Sequence, residues 1–251
     1  MKKLPFWFAT FPFPILILQA CSGSTSGGGT QAEFVPVQNQ GHPLPEASPP
    51  PDKSAPPESR KDACGHDLDR GNPLCLGVRY VVYESADGSP VLSREATEAN
   101  LEAVNRLWAK CDISFHLGEY QSVASEKYGL SSKPADSSEL TEIRKSFEDD
   151  SRLLIVTTGN WDRSGTLGSS GANAWTSMPG SFPYGAVIEQ SVASFANIIA
   201  HELGHYLGLD HSSDKANLMS PLIYDDSIQL TTSECTTART TTQTYWSQMI
   251  D

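Results

Sequence analysis

Three histidines and a glutamate lie close together in the chain, at His201, Glu202, His205 and His211. On a helix, His201 and His205 share one face one turn apart, so both imidazoles can bind one Zn²⁺ at roughly 2.0–2.1 Å. Glu202 can then reach a water on that ion without binding the ion itself. Gly208 allows a left-handed turn that would bring His211 back as the third ligand. The spacing predicts one catalytic zinc whose fourth position is open to water.

A chance origin of this pattern is the alternative. Two histidines flanking a glutamate fix few positions and can arise among ordinary surface or core residues. The added glycine and third histidine make the longer pattern much harder to reach by chance. We therefore predict that the three histidines are metal ligands and that Glu202 is the general base of a hydrolase.

Helices must position these side chains, and the hydrophobic periodicity predicts four of them. The ligand helix is predicted at Ser194–Leu207, with its apolar side chains packing inward: Phe195, Ile198, Ile199 and Leu203. The other predicted helices are Ser93–Lys110 with Ser93 as its cap, Leu140–Phe147, and a final helix that begins at the capping box Thr231–Glu234.

Runs of β-branched, aromatic or alternating apolar residues predict the strands of a sheet. The continuous apolar run Leu153–Thr157 suits a central strand that is covered on both faces, and the glycine- and serine-rich segment Gly168–Pro179 suits an edge strand. The remaining predicted strands are Leu76–Tyr83, Ile113–Leu117 and Ala186–Ile188.

The residues after the zinc pattern resemble the matrixins, a family of the metzincin metalloproteases. His211-Ser212, a short loop and Leu218-Met219-Ser220-Pro221 match the matrixin order of His-Ser followed by Leu-Met-x-Pro. Upstream, Gly171–Trp175 is similar to the edge strand that pairs with substrate backbone in that family. The resemblance implies an α+β fold, with a twisted mixed sheet of about five strands, an active-site helix, a Met-turn and a C-terminal helix.

This resemblance also implies a function, a zinc-dependent metalloendopeptidase that acts on extended protein or peptide substrates. Met219 would be the Met-turn residue beneath the imidazoles. Gly171, Ala172, Asn173 and Ala174 would bind substrate by strand addition. The alternative is a catalytically silent, metzincin-like surface lipoprotein that acts as a binding module.

The chain departs from the matrixin pattern at the additional metal sites. Matrixins carry a second, structural zinc and calcium ions, bound partly by histidines and aspartates ahead of the active-site helix. Here no histidine occurs between His116 and His201, and the corresponding residues are Asn173 and Val187-Ile188-Glu189. We therefore expect a single zinc and leave calcium open. The specificity-pocket tyrosine of matrixins is replaced by Ile223, with Tyr224 after it.

The N-terminus is typical of an export signal. Lys2 and Lys3 precede an apolar run at Leu4–Leu18 that is too short and too rich in proline to span a membrane as a helix. Leu18-Gln19-Ala20-Cys21 resembles the lipobox of bacterial lipoproteins, which implies that Cys21 is lipidated and anchors the protein at the outer membrane or cell surface. An ordinary signal peptide with a chance cysteine is the alternative.

Composition divides the chain into three parts. Residues 1–21 are the predicted signal peptide, residues 22–73 a disordered tether rich in glycine, serine and proline, and residues 74–251 the catalytic domain. The net charge of −12 argues against nucleic acid as a partner. We expect a monomer whose partners are its substrate and, through the anchor, a membrane.

Four of the five cysteines remain for the exported domain once Cys21 is assigned to lipid. They suggest two disulfides, for which three pairings exist. We favour Cys64–Cys75, which closes a short loop, and Cys111–Cys235, which would join the C-terminal segment to the body. Cys64-Gly65-His66-Asp67 also faintly resembles the matrixin cysteine switch, but the even count favours a disulfide.

Overall fold

The computed structural model describes residues 61–67 and 71–251. The predicted signal peptide, Cys21 and residues 22–60 of the tether lie outside these ranges, so export and lipid anchoring stay predictions. Within the described ranges, no helix combines the length and apolar character needed to cross a membrane.

A five-stranded mixed sheet forms the centre of the fold, as predicted. Its strands lie in the order β2-β1-β3-β5-β4, and only β4 runs antiparallel to its neighbour. β3 is buried along its whole length, because helices cover both faces of a central parallel strand. The strand bounds are β1 Leu74–Tyr83, β2 Ile113–Val123, β3 Leu153–Thr158, β4 Ala174–Thr176 and β5 Ala186–Glu189.

In the described part of the chain, five α-helices flank the sheet, and two separate apolar clusters fill the space beneath them. The larger cluster joins one sheet face to α1, α4 and α5, and the smaller joins the other face to α2 and α3. The helix bounds are α1 Arg94–Trp108, α2 Ser137–Phe147, α3 Thr166–Ser170, α4 Ala196–Tyr206 and α5 Thr232–Tyr245.

Two predicted helix starts are confirmed by their capping contacts. The Ser93 side chain accepts a hydrogen bond from the Ala96 amide at the start of α1. At the start of α5, Thr231 and Glu234 form a complete capping box, in which each side chain accepts from the other residue's backbone amide. Both caps satisfy amides that have no partner within the helix.

The predicted edge strand at Gly168–Pro179 is wrong in extent. Residues Thr166–Ser170 form the short helix α3, Gly171 ends it with a φ of +69°, and only Ala174–Thr176 is strand. Small polar residues and glycine supported several local conformations there, and packing against β5 selected one. The inward packing predicted for Phe195 is also wrong, since its side chain is 53% exposed at the start of α4.

Both favoured disulfides are present, Cys64–Cys75 and Cys111–Cys235. The first attaches Lys61–Asp67, which the sequence assigned to the tether, to the start of β1. His66 supports this attachment through a 3.0 Å hydrogen bond between its Nε2 and the Ser114 hydroxyl of β2. Because Cys64 is oxidised, its thiolate cannot act as a cysteine switch in this structure.

Candidate metal centre and cleft

Helix α4 and the turn after it bring the three predicted ligands together. His201 and His205 lie one helical turn apart, with their ring centroids 4.6 Å from each other. Gly208 then adopts a φ of +82°, as its left-handed turn requires, and the chain reverses. The reversal places the His211 Nε2 atom 3.1 Å from the His205 Nε2 atom.

Backbone carbonyls fix the orientation of two of these rings. The His201 Nδ1 lies 2.8 Å from the Leu218 carbonyl, and the His205 Nδ1 lies 2.8 Å from the Leu209 carbonyl. A protonated Nδ1 donates each of these bonds, which leaves the Nε2 lone pair free for a metal. Burial is the main cause of a low pKa at both residues, about 4 for His201, so the rings stay neutral.

The donor set fits a zinc ion. One ligand atom from each of the three histidines lies within 4.8 Å of the others, and His201 is buried while His211 is exposed. Two nitrogens that each sit roughly 2.1 Å from one ion are up to about 4.2 Å apart, so the 3.1 Å separation of His205 and His211 is compatible with a shared ion. Three neutral imidazoles are a common catalytic zinc set.

Glu202 is buried beside the three imidazoles. Burial raises the pKa of its carboxyl to about 7, against the opposing effects of the Thr176 hydrogen bond and the Arg144 charge. The Thr176 hydroxyl of β4 donates to Glu202 Oε2 at 2.6 Å. Sequence reasoning identified Glu202 but missed Thr176 and Arg144, because neither belongs to a local spacing pattern with the zinc residues.

Met219, the predicted Met-turn residue, packs against the helix that carries His201 and His205. Its side chain is fully buried against Gly204, which stands between the two helical ligands. Its backbone amide donates to the Asn217 side chain at 2.7 Å, and Asn217 donates in turn to Glu234 at 2.9 Å. Glu234 of the α5 capping box therefore also supports the turn at Met219 through Asn217. The capping-box pattern in the sequence does not show this second role.

We predict that Gly204→Ala distorts the metal centre. A Cβ atom built at Gly204 would overlap the Met219 Sδ, so the buried Met219 side chain, or the turn or helix that packs around it, must move. Lower zinc affinity and a loss of about 1–3 kcal/mol in the free energy of unfolding are expected. Zinc titration and urea unfolding would measure both.

The matched control is the same substitution in a Met219→Ala background, where the sulfur is gone. There Gly204→Ala should cost much less, because the two sites are in direct contact. Equal costs in both backgrounds would show that the contact between Gly204 and Met219 does not matter.

A cleft of about 760 Å³ runs across the metal centre. One side is formed by Gly171–Thr176 and the other by Pro221–Tyr224, with the three histidines and Glu202 between them. The predicted substrate-binding residues therefore all line the cleft, although only Ala174 among them belongs to β4. Ile198, predicted to pack inward, also lines this cleft and is partly exposed.

The segment before β4 is held by the buried carboxylate of Glu189. This group accepts hydrogen bonds from the Trp161 amide, the Asn173 amide group, the Ser191 hydroxyl and the Arg163 guanidinium. Arg163 also donates to the Ala172 carbonyl at 2.8 Å. Four donors surround the Glu189 carboxylate, so a calcium ion at this place would compete with them for its oxygens. Calcium elsewhere in the chain stays an untested prediction.

Comparison with known proteins agrees with these features. The family model described as Matrixin matches residues 87–240, which is more than half of the chain. The chain therefore belongs to the matrixin family, and its domain is a metzincin catalytic domain with a zinc metalloprotease-like function. Zinc binding follows from that membership, and the histidine cluster fits it.

Among solved structures, the chain is similar to the crystal structure of metalloproteinase-II from Bacteroides fragilis. The identity is 19% and the TM-score 0.45, over 67% of this chain and 53% of that one. The chain thus spans about half the length of that protein.

Proposed function

We propose that this protein is a zinc-dependent metalloendopeptidase that cleaves extended polypeptides. The observation that carries the proposal is the convergence of three imidazoles, two of them oriented by backbone carbonyls, and one buried carboxylate in a single cleft bounded by an open strand edge. The roles of His201, His205 and His211 as ligands, and of Glu202 as general base, are part of this proposal.

The side chains divide the chemistry among them. His201, His205 and His211 would hold a Zn²⁺ ion, which would supply a Lewis acid for the peptide carbonyl and lower the pKa of a water molecule. Glu202 takes the proton from the attacking water on its carboxylate and delivers it to the leaving amine nitrogen. The Leu218 and Leu209 carbonyls keep two of the imidazoles in the orientation that this chemistry needs.

An extended substrate binds by adding a strand to β4, which lies at the edge of the sheet. The Asn173 carbonyl accepts a hydrogen bond from the Glu189 amide of β5, and the Ser177 amide donates one to the carbonyl of Gly185, just before β5. Because bonding groups alternate along an antiparallel strand, the backbone of Ala174 and Thr176 points to the open edge. These two residues would therefore hold the substrate backbone beside Glu202.

The decisive test is cleavage of a random peptide library by the purified protein, followed by mass spectrometry. We expect internal cleavage that 1,10-phenanthroline abolishes and added zinc restores. The non-chelating 1,7-phenanthroline isomer, as the matched control, should have no effect. Binding of peptides without any cleavage would contradict the proposal and favour the binding-module alternative. A library is preferable to casein, because a dedicated processing protease would spare a generic substrate.

A further inference from the structure

A hydroxyl group of the substrate-binding strand contacts the general base directly. Thr176 is the last residue of β4, and its Oγ1 donates to Glu202 Oε2 at 2.6 Å. Both side chains are buried, with 9% of Thr176 and 5% of Glu202 exposed. A hydrogen bond to an ionised acceptor in such a place is short and strong. The contact therefore restricts the rotation of the carboxylate.

The strand that carries this hydroxyl is itself fixed from behind. The buried guanidinium of Arg144, on α2, donates to the Trp175 carbonyl at 2.7 Å and to the Gly185 carbonyl at 2.8 Å. These bonds join the end of β4 to the start of β5. Thr176 therefore donates from a strand that Arg144 holds in place.

The contact also distinguishes the two carboxylate oxygens. Oε2 is occupied by Thr176, whereas Oε1 receives no hydrogen bond from the described residues. Glu202 lines the cleft, where Oε1 is the carboxylate oxygen without a contact of this kind. Both lone pairs of Oε1 are therefore free of donors from the described residues, whereas one lone pair of Oε2 accepts from Thr176.

We propose that Thr176 is a positioning residue, whose hydroxyl turns the Glu202 carboxylate so that Oε1 faces the attacking water. The inference rests on the proposed peptidase function and deepens it. It also implies that substrate addition to β4 and proton transfer by Glu202 are coupled, because one residue supplies both the strand backbone and the hydroxyl that orients the base.

The test uses Thr176→Val and Thr176→Ser in the full chain. Valine keeps the β-branched shape that suits a strand but lacks the hydroxyl, and serine keeps the hydroxyl. Thr157→Val is the matched control, because Thr157 is a buried strand threonine whose hydroxyl lies 3.2 Å from the Tyr80 hydroxyl, outside the cleft. We would measure zinc content, kcat and KM for each variant, and determine crystal structures of the zinc-loaded wild type and Thr176→Val.

We expect Thr176→Val to keep full zinc and a nearly unchanged KM while kcat falls roughly tenfold to hundredfold, the equivalent of one hydrogen bond to a charged group. Thr176→Ser should recover most of kcat, and Thr157→Val should leave kcat unchanged. In the crystal structure of Thr176→Val, the Glu202 carboxylate should be rotated or disordered.

Two results would overturn the inference while leaving the peptidase function intact. One is a Thr176→Val enzyme with wild-type kcat. The other is a loss that appears only in KM, or that serine does not rescue, which would mean that Thr176 serves the strand alone. A wild type no more active than Glu202→Ala would instead overturn the proposed function itself, and the inference with it.

Discussion

Glu202→Ala is expected to reduce kcat by roughly 10²–10⁴-fold, the usual contribution of a positioned general base. Zinc content should stay at the wild-type level, because Glu202 lies beside the histidine cluster and is not part of it. Among the described residues that line the cleft, Asp210 carries the one other carboxylate, and it is exposed. Peptide turnover and metal analysis on the same preparation would measure both effects.

The same variant should not be less stable than the wild type. Burial of Glu202 disfavours its charged form, so removing the carboxyl relieves a desolvation cost that opposes folding. Thermal unfolding therefore separates loss of chemistry from loss of fold. Glu95→Ala, at an exposed acid in the first turn of α1, is the control that should leave turnover unchanged. Undiminished turnover in Glu202→Ala would reject its role as the base.

His201→Ala is expected to remove the metal. His201 is the buried member of the cluster, and its Nδ1 bond to the Leu218 carbonyl also joins α4 to the Met-turn. Mutating a residue that only hydrogen-bonds to a metal ligand typically lowers metal affinity by roughly 10–100-fold. Losing a ligand itself should lower zinc affinity by more than that. Zinc analysis after dialysis and a competition titration with a chelator would measure the change.

Thermal unfolding gives an independent readout of the same change. At a zinc concentration of roughly 100 times Kd, binding should stabilise the wild type by about 2.7 kcal/mol, and this gain should disappear in His201→Ala. The control is His116→Ala, because His116 lies on β2 and pairs with Asp251, away from the cluster. A His201→Ala protein that still binds one zinc with wild-type affinity would contradict the assignment.

The elements that the sequence predicted best are those with a strong local signal. The helix spacing of His201 and His205, the left-handed turn at Gly208 and the capping box at Thr231–Glu234 all depend on residues within one or two turns of each other. The buried run at β3 was equally clear, because its composition admits few alternatives. Each of these features was confirmed.

The weakest predictions concerned segments without such a signal. Gly168–Asn173 contains small residues that suit a strand, a turn or a short helix, and the contacts of Arg163 and Glu189 decided between them. Phe195 was placed inward by helical periodicity, yet it precedes the first helical residue, where periodicity no longer applies. The disulfide pairing was favoured from loop lengths and needed the fold to select it among three.

The sequence by itself predicted the candidate ligands, the neighbouring candidate base and the turn that returns His211, because helix geometry converts spacing along the chain directly into spacing in space. Only the tertiary structure decided what surrounds the base. Thr176 on β4 contacts Glu202, and Arg144 on α2 bonds the strand that carries Thr176, both from distant parts of the chain. No local pattern encodes such contacts, because they depend on how the sheet and helices pack together.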